Sequence, residues 1–186
     1  MNPDIVILTE AVRIEGLAQR ALLDGEPSSA GFLAAAALYR ASWEAAAPDA
    51  FGRLVGLIKA AVIAGDAAEA ATYVIGQIAD ERDSPVAAYA HAVASIVQGD
   101  DDTASRSARE MARGGEAFAA PAAALEALAS CSRPAYRRAI ATIVADFEGR
   151  VAHLTGVPIA DTAVMLERLA SRRGMDVRPV SRVMPG

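Results

Sequence analysis

The residues that could carry chemistry are few and far apart. There are two histidines, His91 and His153, one cysteine, Cys131, and two acidic clusters, Asp80-Glu81-Asp83 and Asp100-Asp101-Asp102. A helix presents two metal ligands on one face only at i+3 or i+4, and neither histidine has a histidine or cysteine at that distance. His91 therefore reads as a packed structural residue inside a helix, and His153 as a cation favoured near a helix end. A reactive thiolate needs a base or an electropositive helix start, and Cys131 has only Arg133 close by. The triple aspartate lacks the alternating ligands and terminal glutamate of a calcium loop; aspartates at a helix start cap free N–H groups. Asp146 and Glu148 are two apart and diverge on a helix, so they form no acid/base pair by themselves. No glycine-rich phosphate loop follows a strand, and there is no serine nucleophile elbow or paired CxxC. These residues point to a binding protein: no catalytic residue, no cofactor and no metal is expected.

Composition sets the fold class that must position them. Of the 186 residues 53% are apolar but only 5% aromatic, and 45 are alanine. Alanine is the best helix former and a poor strand former, so an all-α fold is expected over 1–186 as a single domain. No apolar run reaches the ~18 residues of a spanning helix, and the first residues lack the flanks of a signal peptide. A lone cysteine excludes an internal disulfide and fits a reducing compartment, hence a cytoplasmic location. Net charge is −5, which argues against a general nucleic-acid binder. The charge is uneven. Residues 1–93 carry 6 basic and 12 acidic groups, while 94–186 carry 12 and 11. Lysine occurs once, at Lys59, against 17 arginines, a bias that reads as that of a GC-rich genome.

Periodicity and breakers divide the chain into about eight or nine helices. They run 4–23 (with Thr9-Glu10 as an alternative start), 30–46, 51–64, 67–79, 85–98, 102–113, 116–130, 135–153 and 159–173. Ile5, Leu8, Val12, Ala18, Ala21 and Leu22 form the apolar face of the first. Ser29 and Asp49 are candidate N-caps, and Pro85 suits a first helical turn. Gly65-Asp66 and Gly99-Asp100 are turns 34 residues apart, with Ala70 and Ala104 at one offset behind them, where helices must approach closely. Arg133 stands 34 after Gly99, in the third break. Helix–turn–helix units at this period predict antiparallel helical hairpins in a tetratricopeptide-like (TPR-like) stack, with a compact bundle as the alternative. Leu54, Leu57, Ile58, Val62, Val74, Ile78, Val93, Ile96, Val97, Leu125, Leu128, Ile140, Val144, Leu166 and Leu169 are the expected core. Arg168, Arg172 and Arg173 sit where a helix's own dipole favours cations. From Met175 to Val180 an extended tail is expected to lie across the bundle.

The carboxy-terminal part also carries a resemblance. Leu125-Glu126-Ala127-Leu128-Ala129-Ser130 is followed after a break by Ala135-Tyr136-Arg137-Arg138-Ala139. The last helix ends Leu166-Glu167-Arg168-Leu169-Ala170-Ser171-Arg172-Arg173-Gly174-Met175-Asp176-Val177, with Ser181 and Pro185 beyond. Over residues 90–186 this resembles immunity protein family 49 of bacterial polymorphic toxin systems. The resemblance implies an all-helical protein that neutralises a cognate toxin, and it assigns no contact residue.

The expected function is accordingly non-catalytic protein binding, with a basic toxin as the partner. Opposed fields would speed such an encounter, so Asp80, Glu81 and Asp83, and secondarily Asp100, Asp101 and Asp102, are the candidate partner-binding residues. No nucleic-acid or membrane partner is expected. Two alternatives stand beside it: a self-associating scaffold such as a homodimer, and a small helical enzyme or ligand-binding bundle with a dispersed pocket. A deep pocket lined by His91, Tyr73 or Tyr89 would favour the last.

Overall fold

The computed structural model describes residues 2–78 and 84–186, and among them every regular element is helical: α1 (Pro3–Leu23), α2 (Ser29–Glu44), α3 (Gly52–Ala64), α4 (Ala68–Ile78), α5 (Pro85–Gln98), α6 (Asp101–Ala112), α7 (Glu116–Ala129), α8 (Arg133–Gly149) and α9 (Asp161–Ser171). The all-α expectation holds. Pro3 opens α1 and Thr9 lies inside it, its hydroxyl donating back to the Ile5 carbonyl at 2.8 Å, so no second start occurs there. Ser84 caps α5 through the Ala87 N–H, with Pro85 in the first turn, and Asp100 caps α6 through the Thr103 N–H. The α2 and α3 starts differ from expectation: Ser28 and Phe51 occupy the cap positions and neither makes a side-chain cap bond. Among the described residues no helix is long and apolar enough to cross a membrane.

Five helices stop by the same device. Gly25, Gly65, Gly99 and Gly174 take positive φ, and the next residue's N–H reaches back to the carbonyl five positions earlier. Asp66 reaches Ala61 at 3.2 Å, Asp100 reaches Ser95 at 3.0 Å and Met175 reaches Ala170 at 2.9 Å. At the third hairpin Ser132 reaches Ala127 at 2.8 Å, and Cys131 stands in glycine's place at φ 52°. The third break is thus centred on Cys131, 32 residues after Gly99, and Arg133 already begins α8. Cys131 is exposed, so its side chain contributes little packing while its backbone is held in a region unfavourable for L residues. Cys131→Gly is expected to raise stability by about 0.5–1 kcal/mol in urea unfolding, whereas Cys131→Ala, which keeps the strain, should not.

Neighbours in sequence are mostly neighbours in space. α1 packs on α2 and α2 on α3; α4 to α8 pack serially; α3 touches α5 and α5 touches α7. α9 returns across α3, α7 and α8. Buried apolar residues from Ala11 to Val183 make one core. All the expected core residues are buried except Val97, which is half-buried. The face of α1 differs. Its buried residues are Asp4, Ala11, Glu15, Gly16, Ala18 and Gln19, and Ile5 is 43% exposed. Small residues win because α1 and α2 nearly touch: a Cβ on Gly31 would lie 2.9 Å from the Ala18 Cβ.

Close approach in α4 uses Ala71, fully buried, rather than the half-buried Ala70; Ala104 of α6 is fully buried as expected. Ala71→Leu and Ala104→Leu should each cost about 1–2 kcal/mol by overpacking, with Ala70→Leu clearly milder, as read by thermal unfolding.

Two boundaries around residues 150–160 also shift. α8 ends at Gly149, before His153, where the Arg150 backbone turns extended and its guanidinium folds back over the Phe147 ring at 3.6 Å and onto Asp146. α9 begins at Asp161, after Pro158. Residues 175–180 form the expected tail, which runs on through 184 and is held by side chains of α8 and α9. Glu167 accepts from the Arg178 N–H at 2.7 Å and the Tyr136 hydroxyl at 2.8 Å. Glu148 accepts from the Ser181 hydroxyl at 2.6 Å, and the Ala160 N–H donates to the Val183 carbonyl at 2.7 Å.

Arg172 and Arg173 serve other helices rather than their own. Arg172 donates to the Gly65 carbonyl at the end of α3. Arg173 donates to Ile96 at the end of α5 and Leu128 at the end of α7, and pairs with Asp101 at 2.7 Å.

Candidate ligand cavity

Lys59 sits in α3 among Leu57, Ile58, Ala60 and Ala61, all buried. An ammonium there requires partners, and α9 and α1 bring them. Its Nζ lies 2.5 Å from Asp161 Oδ2 and 4.0 Å from Glu15 Oε1. Glu15, 1% exposed, accepts from the Tyr39 hydroxyl of α2 at 2.6 Å and from Gln19 Nε2 at 3.3 Å. Gln19 in turn accepts from the Thr155 hydroxyl at 2.5 Å. The 150–160 loop reaches this point because Gly16 leaves room; a Cβ there would meet the Thr155 carbonyl oxygen at 3.1 Å.

The protonation states follow from burial and charge. Burial alone would push the Lys59 ammonium down, but Asp161 and Glu15 together outweigh it and hold the pKa above the ordinary lysine value. Lys59 is therefore a fixed cation and not a nucleophilic amine. Glu15 is pushed up by burial, against the pull of Lys59 and the Tyr39 and Gln19 hydrogen bonds. Burial also raises Tyr89 of α5, so its phenol stays protonated.

Beside this cluster opens a cavity of about 580 Å³. Lys59, Tyr89, Asp161 and Thr162 form its polar inner end; Met111, Ile143, Phe147 and Ile159 supply buried apolar wall. Glu116, Asp146, Arg150 and Leu154 are exposed and mark its mouth. Asp146 pairs with Arg150 at 2.6 Å. Two buried polar atoms in the lining lack a hydrogen bond of good geometry: the Tyr89 hydroxyl, whose polar neighbour is Thr162, and His153 Nδ1. Pro121 lies inside α7 and has no N–H for the Ala117 carbonyl; both residues line the cavity.

Of the expected partner-binding residues, Asp80, Glu81 and Asp83 lie outside the described residues. Asp100 is spent on its cap, its carboxyl lowered by hydrogen bonds from the Thr103 N–H and hydroxyl. Asp101 is paired with Arg173, and Asp102 is exposed. The three do not act as one unit. No group of three or more His, Cys, Asp and Glu side chains among the described residues could hold a metal ion. Of the residues expected to mark a pocket, Tyr89 lines the cavity. Tyr73 instead donates to Glu44 under the Arg40 guanidinium, and His91 Nδ1 is 2.9 Å from the Ser107 hydroxyl. His153, expected at a helix end, is in the cavity loop. Glu148, two residues from Asp146, is engaged by the tail, so the two carboxylates diverge as their spacing requires.

The residues missed were Lys59, Glu15, Gln19 and Asp161. The signal was present: one lysine inside Gly56-Leu57-Ile58-Lys59-Ala60-Ala61-Val62, and a glutamate on the small-residue stripe Ala11-Glu15-Ala18. The fold and this cavity define an all-helical protein with an interior polar cluster opening into a pocket. No family model, curated protein or solved structure matches the chain.

Proposed function

We propose that this chain is a non-catalytic binding protein whose ligand is a small molecule held in the cavity. The observation that carries the reading is an open cavity of about 580 Å³ with a buried apolar side formed by Met111, Ile143, Phe147 and Ile159 and an inner end built from Lys59, Asp161 and Tyr89. That size and that mixture of an apolar wall with few convergent polar groups suit a ligand site. A TPR-like arrangement of the hairpins α3–α4, α5–α6 and α7–α8, with α9 laid across α3 and α7, belongs to the same reading, as does a cytoplasmic setting. The test is binding of the neutral fluorophore Nile red to the full chain. It should bind, and Ala120→Phe, which adds a ring at a half-buried lining position, should weaken binding at least about tenfold while the helical circular dichroism is unchanged.

A second reading, a protein that neutralises a basic toxin, keeps the support of the C-terminal resemblance. The bare apolar side chains favour it: Val151 and Leu154 beside the mouth are 104% and 77% exposed. Reversing charge together at Asp80, Glu81 and Asp83 should then slow association with a basic toxin that the chain binds and flatten its salt dependence. An unchanged rate at low salt would place that interface elsewhere.

A further inference from the structure

The charges lining the cavity indicate what class of molecule it takes, an inference that rests on the cavity being the binding site. Two ion pairs are already built into the lining, Lys59–Asp161 at 2.5 Å and Arg150–Asp146 at 2.6 Å. The inner pair is only 12% and 14% exposed, so an ionic ligand reaching it must displace one partner or be buried without a counter-charge. Glu116 stands exposed at the mouth with no ion pair among the described residues and repels anions further.

At the buried end, what remains unused is uncharged. The Tyr89 hydroxyl and His153 Nδ1 are buried without a well-formed hydrogen bond, and the Ala117 carbonyl receives no N–H from Pro121. The Tyr89 hydroxyl has Thr162 beside it but no bond of good geometry, so a ligand that supplies an acceptor there gains a bond at a buried, under-satisfied donor. Between that end and the mouth, Met111, Ile143, Phe147 and Ile159 offer apolar contact. We propose that the cavity takes an uncharged, mainly apolar molecule bearing a hydroxyl or carbonyl oxygen that accepts from the Tyr89 hydroxyl at the buried end.

The experiment displaces Nile red from the full chain with three molecules of equal chain length at pH 7: 1-decanol, decanoate and decylammonium. 1-Decanol is expected to displace the dye at a concentration about tenfold or more below either ion. Tyr89→Phe, which keeps the ring and removes the oxygen, should weaken 1-decanol about fivefold or more and shrink its advantage over both ions. Equal or better displacement by either ion overturns the inference, and so does a Tyr89→Phe variant that retains the full preference for 1-decanol. The three-way comparison on the unaltered chain decides the charge question even where the variant folds poorly. If Nile red does not bind, or binds undiminished to Ala120→Phe, it is the cavity reading itself that fails, and this inference falls with it.

Discussion

Lys59→Met is expected to remove about 3–5 kcal/mol of stability, the largest effect of any single substitution considered. The side chain is 12% exposed and stands between Asp161 and Glu15. Methionine matches its length and leaves no void, so packing is nearly conserved and the loss is electrostatic. Two carboxylates would remain in a site with little water and no counter-charge. Neutralising them as well, in Lys59→Met with Glu15→Gln and Asp161→Asn, should recover most of the loss, because a fully neutral buried set avoids desolvating any ion. Urea unfolding of the single and triple variants decides the matter. A triple variant as weak as the single would show that the loss came from packing instead.

The same substitution should change how stability depends on pH. Glu15 is raised in the folded protein by burial, so folding binds a proton more readily than the unfolded chain does in the window above the ordinary value of 4.5. A carboxyl of this kind contributes stability at low pH and loses that contribution as pH rises through its folded pKa. Removing Lys59 removes the charge that pulls Glu15 down, so the effect grows. The deficit of Lys59→Met relative to the parent chain should therefore shrink as pH is lowered from 8 to 5. A deficit constant over that range would mean that Glu15 does not feel Lys59.

The helices were legible in the sequence because their causes are local. Gly65, Gly99 and Gly174 supply left-handed stops, Pro85 a start, and leucine, isoleucine and valine at helical spacing mark the inward faces. Cys131 was harder, since nothing local marks a cysteine as an αL residue; the hairpin geometry imposes it. The cavity was largely illegible for a different reason. Its parts come from α1, α3, α5, α6, α7, α8, α9 and the 150–160 loop, and Lys59 and Asp161 are 102 residues apart. Periodicity reports which face of a helix is apolar, and it assigns a charged residue to solvent by default. Glu15 and Lys59 break that default because each is paid for by a partner on another helix. Tyr89 could be anticipated, as a large polar side chain among the alanines of α5.

Arg173→Ala is expected to cost about 2–4 kcal/mol, and the reason joins the end of the chain to its middle. The guanidinium is 18% exposed and contacts three elements at once: the Ile96 carbonyl, the Leu128 carbonyl and the Asp101 carboxylate. The two carbonyls also accept from the Gly99 and Cys131 N–H groups that stop α5 and α7. Each is thus a helix end where partial negative charge accumulates, and Asp101 is a full negative charge in the first turn of α6. One planar fork with several N–H donors can satisfy all three; an ammonium on a flexible stem cannot hold the same geometry. Arg173→Lys should therefore recover less than half of the loss. Arg172, which is exposed and bonds only the Gly65 carbonyl, should cost no more than about 1 kcal/mol when changed to alanine. Urea unfolding of the three variants tests the ordering. Equal losses for Arg172→Ala and Arg173→Ala would mean that the charge of the arginine pair matters and the clamp on α5 and α7 does not.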